Sequence, residues 1–141
     1  MKHRSSAEDQ QFRREFEAGT FPPAAFNHRA HVRLAYAYLC EHDTDVAHQR
    51  MRSALLSFLD RHGIDGSKYH ETMTRAWIMA VRHFMENAPS CESADRFIET
   101  DARMLDPKIM LTHYSAEVLF SDEARARFVE PNRDPIPGPG R

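Results

Sequence analysis

The feature that most constrains this chain is a spacing. Large apolar residues recur three and four positions apart through nearly its whole length, and no segment reads as a convincing strand. Met73, Trp77, Ala80, Val81 and Phe84 form the clearest run. An α-helix repeats every 3.6 residues, so this spacing gathers the side chains into one stripe that must be covered by another element. The expectation is an all-α fold: a helical bundle of about four main helices plus short C-terminal helices.

Punctuation residues divide the pattern. Phe12 and Phe16 mark a helix over 8–18 that Gly19 stops, and Phe21-Pro22-Pro23 reads as an extended connection. Asn27 caps a helix over 28–42, with His28, Val32, Ala35 and Leu39 on its inward face and His31, Leu34 and Tyr38 beside them. Asp43 or Thr44 opens a helix over 44–62, whose apolar side holds Val46, Met51, Leu55, Phe58 and Leu59 and which ends at Gly63. After the loop Ile64-Asp65-Gly66-Ser67, the longest stripe predicts a helix over 69–87. Ser93 caps a helix over 94–105 carrying Phe97, Ile98 and Leu105. Asp106-Pro107 then reads as N-cap and first turn of a short helix, and Ser115 and Ser121 open two more. No internal repeat is present.

With 141 residues, 41% of them apolar and 28% charged, the chain suffices for one domain with one core. That domain is expected over 1–130, followed by a Pro/Gly-rich tail over 131–141 that runs extended or disordered. The tail holds Pro131, Pro135, Pro137 and Pro139, and residues 132–141 are expected to be dispensable. A net charge of −2 leaves no basic footprint for nucleic acid. No stretch approaches the ~18 apolar residues of a membrane span. Cys40 and Cys91 form neither a framework nor a CxxC pair and read as reduced thiols. The polar N-terminus lacks the apolar region of a signal peptide. These features together give a cytoplasmic expectation.

The chemistry concentrates in three histidines at two helix starts: His28 and His31 in Phe26-Asn27-His28-Arg29-Ala30-His31, and His70 in Lys68-Tyr69-His70-Glu71-Thr72. Imidazole facing a core needs a partner, because an unpaired buried polar group is costly. Residues three apart on a helix are neighbours, so His28 and His31 can present two nitrogens to one ion, and His70 would supply a third. Three ligands with open positions suit a catalytic metal, and imidazole suits a divalent transition metal such as zinc, copper or iron. The competing reading is that these rings hydrogen-bond across the core or cap a neighbouring helix. Glu71 is a candidate fourth ligand or general base, but its spacing to Arg75 favours a surface ion pair. Tyr69 reads either as a hydrogen-bond donor behind the metal ligands or as a packing staple. Tyr114 reads as an acid closing the site or as a packed tyrosine with a satisfied hydroxyl. Thr74 lies on the His70 side of its helix and Trp77 one turn below. The remaining histidines, His3, His42, His48, His62 and His83, are expected to be solvated.

Three segments together resemble a family of small uncharacterised bacterial proteins: Phe26 to Ala35, Lys68 to Thr74, and His113-Tyr114-Ser115 through Pro131. The family pattern is similar to F-x-H-x-x-H-x-R-L-A, then Y-H-x-T-x-T, then Y-Y-S, with His113 standing where the first tyrosine of the last motif would be. The resemblance spans about residues 10–134. It implies no activity, but it implies that His28, His31, Tyr69, His70 and Tyr114 belong to one shared site.

Two functions follow. One is a metal-dependent enzyme (hydrolase, lyase or oxygenase) acting on a small molecule, with His28, His31 and His70 as ligands and Glu71, Tyr69 and Tyr114 as catalytic candidates. The other is a non-catalytic helical module that binds a small ligand or a protein partner, its histidines serving as hydrogen-bonded core groups.

Overall fold

Each main helix begins where a side chain accepts a hydrogen bond from one of the first unpaired backbone N–H groups. The computed structural model describes residues 2–137. Four helices of twelve or more residues dominate: α1 (Ala7–Ala18), α2 (His28–Leu39), α3 (Thr44–Arg61) and α4 (Glu71–Glu86). Three short helices follow: α5 (Ala94–Glu99), α6 (Ala116–Leu119) and α7 (Asp122–Ala126). Tight 3-10 turns at Pro23–Ala25, Gly66–Lys68, Ala102–Leu105 and Pro107–Thr112 connect them. The all-α bundle expected from the spacing is the fold observed, with no strand among the described residues.

α2, α3 and α4 pack on one another, α1 closes one side against α2 and α3, and α7 covers α4. α2 is buried from Leu34 to Leu39 on every side, because neighbours surround it. Trp77, Ile78 and Val81 of α4 meet it from below, and Phe16 stacks on Phe58 of α3 at 4.3 Å between ring centroids. Gly19 ends α1 with φ +79°, a left-handed conformation that a side chain would strain.

Several boundaries differ from expectation for local reasons. The predicted helix over 94–105 breaks after Glu99, where the Asp101 carboxylate accepts the Arg103 N–H and restarts the chain as a 3-10 turn. Val46 and Leu105, placed on apolar faces by spacing, are exposed. His70 stands outside α4, with extended backbone, and acts as its cap.

Two features were not foreseen. Asp9 is 1% exposed; it completes a capping box with Ser6 and accepts from Ala94 N and from Arg33 Nε at 2.8 and 2.9 Å. Burial would raise its pKa, but those hydrogen bonds prevail and hold the carboxyl below its ordinary value. The tail is the other. Arg133 N donates to His113 O at 2.9 Å, Asn132 Oδ1 accepts from Ser115 N at 2.9 Å, and Ile136 is 1% exposed within the core. The segment runs without helix along the surface, yet its single large apolar side chain is an anchor. Over residues 131–137 the segment runs without helix, as expected, and these contacts tie it to the helical body. The part of that expectation concerning 138–141 lies outside the described residues.

Candidate functional site

Where α2, α3 and α4 diverge, the loop between α3 and α4 roofs a cavity of about 300 Å³. Its walls are mostly apolar: Phe26 before α2, Leu55, Phe58 and Leu59 of α3, Ile64 of the loop and Met73 of α4. The polar borders are His31, Lys68, Tyr69, His70 and Thr74. Thr74 lines the space as its helix position suggested, although its hydroxyl is committed to His70 O at 2.8 Å.

The three histidines have three different environments. His70 Nδ1 accepts the Met73 N–H at 3.0 Å, which caps α4, so the proton sits on Nε2, which donates to Leu119 O at 2.7 Å. Both nitrogens are thereby used, and the ring joins α4 to α6. Burial depresses the His70 pKa; the Leu119 hydrogen bond opposes this and the charge of Arg125 adds to it. His28 Nε2 lies 2.8 Å from Met104 O, and its ring meets Trp77 edge-on at 4.6 Å. His31 stacks near-parallel to His28 at 6.4 Å, makes no hydrogen bond through its ring among the described residues, and faces the cavity. His31 is half-buried. Burial, and secondarily the neighbouring His28, pushes its pKa down to about 4, so it is a neutral imidazole at physiological pH.

The expected convergence of three ring nitrogens on one point is not what these contacts build. His28 and His31 are neighbours, and His31 and His70 border one cavity, but His28 and His70 direct nitrogens at carbonyl oxygens. Among the described residues, no group of three or more His, Cys, Asp or Glu is placed to hold a metal ion.

Glu71 does not pair with Arg75. The Arg75 guanidinium lies over the Phe128 ring at 4.8 Å, held by the C-terminal segment that packs on α4. The Glu71 carboxylate instead faces α3: it accepts the Tyr69 hydroxyl at 2.5 Å and lies 3.4 Å from Arg52 Nε. His48 Nε2 is 3.1 Å from its other oxygen, at an angle that makes no hydrogen bond. Tyr69 thus borders the cavity with its ring while its hydroxyl is bound outside, and burial first, then this bond, raises its pKa. Tyr114 is fully buried and donates to Val129 O at 2.6 Å, away from the cavity lining. Burial, with Glu130 second, pushes its pKa up to about 12.

The reading of solvated histidines fails at three positions. His48 is 9% exposed beside Glu71, His3 Nε2 lies 2.7 Å from Met85 O, and His62 packs on Phe58 at 4.5 Å. His48 was legible: it stands three before Met51 and seven before Leu55, on the apolar stripe of α3. Lys68 flanks His70 in the sequence, and its place at the cavity rim depends on how the loop folds.

No family model, curated protein or solved structure matches this chain.

Proposed function

We propose that this protein binds a small, largely apolar molecule in the cavity beneath the α3–α4 loop. His31 is the inner polar contact of that site, and His28 and His70 are structural. The observation that carries this reading is the inequality of the three rings. Two are tied to backbone carbonyls, whereas His31 offers a neutral donor and acceptor to an apolar space. Apolar walls with one convergent polar group are the usual form of a small-ligand pocket, and 300 Å³ lies at the lower end of the usual size range. Screening small apolar fragments by thermal shift tests it. Ligands should raise the melting temperature and move the His31 ring resonances. Met73→Trp, which fills the cavity, should abolish both effects while circular dichroism stays unchanged. Equal binding by that variant overturns the reading.

A metal centre at His28, His31 and His70 is the second reading. It is favoured by the parallel neighbouring rings of His28 and His31 and by the position of His70 on the same cavity as His31. It requires His70 to release Met73 N–H and Leu119 O. Calorimetric titration with zinc, copper and iron separates the two. The ligand reading expects no stoichiometric uptake; one-to-one uptake lost in His28→Ala, His31→Ala and His70→Ala establishes the metal centre.

A further inference from the structure

Resting on the cavity reading, we infer that the ligand class is a small amphipathic carboxylate, its apolar body in the cavity and its acid group at the rim. The argument is one of charge. Among the described residues, no carboxylate lines the cavity, and the one full charge on its border is Lys68, exposed in the turn Gly66–Lys68. A second cation stands beside that turn: Arg125 of α7 donates through Nη1 to Ser67 O at 3.4 Å, and its charge is felt at His70. No ion pair among the described residues engages Lys68 or Arg125.

Two acids lie near. Asp65 is exposed, accepts the Ser67 N–H at 2.9 Å, feels the charge of Lys68 and does not line the cavity. Glu71 is behind Tyr69 with Arg52 at 3.4 Å as its own counter-ion. Among the described residues that line the apolar chamber, the one full charge is therefore the positive charge of Lys68. A cation would meet the like charge of Lys68 there, a neutral molecule would gain nothing from it, and a carboxylate would be drawn to it. A volume of 300 Å³ corresponds to about ten water-sized units at ~30 Å³ each, the size of a short-chain or single-ring acid.

The experiment uses three probes of one chain length: octanoate, 1-octanol and octylamine, titrated calorimetrically into the full chain at pH 7 and low salt. Octanoate is expected to bind at least tenfold more tightly than 1-octanol, with octylamine weakest. Octanoate should shift the His31 ring resonances. Lys68→Gln and Arg125→Gln, both surface changes, should each weaken octanoate about three- to tenfold and leave 1-octanol unchanged. Moving to 0.5 M salt should shrink the preference, because exposed charges are screened over a few ångströms there. Octanol and octanoate binding equally overturns the carboxylate inference and leaves the cavity reading standing. Octanoate binding without movement of His31 overturns the inference by locating the site elsewhere. Failure of all three probes, with apolar fragments also failing to bind, overturns both.

Discussion

At the scale of single residues, the chain illustrates how one side-chain type takes several roles under different surroundings. His31 titrates near 4 when folded and near 6.5 when unfolded. Between these values the unfolded chain binds more protons. The contribution of His31 to stability is therefore complete above pH 6.5 and lost as pH falls toward 4. That loss is about 2 kcal/mol by pH 4.5. Urea denaturation at pH 7.5 and 4.5 should show His31→Gln losing less stability on acidification than the parent by about that amount. Identical pH dependence would mean that the ring is solvated. Thr72 tests a different residue-scale device. Its fully buried hydroxyl donates to Arg127 O at 2.8 Å and accepts from Val129 N at 3.0 Å, fixing the C-terminal segment to α4. Thr72→Val keeps the shape and orphans both backbone groups, so it should lower stability by roughly 1–3 kcal/mol in denaturant titration.

At the scale of elements, the start of α4 is the informative case. A histidine cap is unusual beside Ser, Thr, Asp and Asn, and His70 serves because its second nitrogen reaches α6. His70→Ala removes both bonds and should cost about 1–3 kcal/mol. His70→Asn restores the cap alone and should recover about half. Equal loss in the two variants would assign the whole effect to the Leu119 bond. The helix starts at Asn27, Asp43, Ser93, Ser115 and Ser121 were legible because a cap is a local event between a side chain and an N–H two or three residues on. The break at Asp101 was not read, since Phe97, Ile98 and Leu105 continue a helical spacing across it.

At the scale of the whole molecule, the C-terminal strap shows a contact that local reading does not reach. Four prolines suggested a segment burying too little to be ordered, but Ile136 enters the core and backbone bonds to residues 112 and 113 hold the approach to it. Truncation after Asn132 should therefore lower stability by about 2–4 kcal/mol, the scale of removing one large buried aliphatic side chain. Thermal melting and urea titration check it, and an unchanged midpoint would show that the anchor contributes nothing.

What the sequence determined by itself is periodic and local. The stripes of α1 to α4, the caps of α2 and α3, the glycine stops after α1 and α3, and the burial of Trp77 and Val32 follow from rules that need only neighbours along the chain. The inward setting of His31 was legible for the same reason. Only the tertiary structure decided what meets each imidazole. The carbonyls of Met104 and Leu119 are 76 and 49 residues from the rings they engage, and no spacing encodes such a meeting. Glu71 follows the same logic: its spacing favoured Arg75, but Phe128 covers Arg75 and α3 brings Arg52 and His48 to the carboxylate instead. Hydrogen bonds and charges act through space, so the partner is whichever group the packed helices bring within reach.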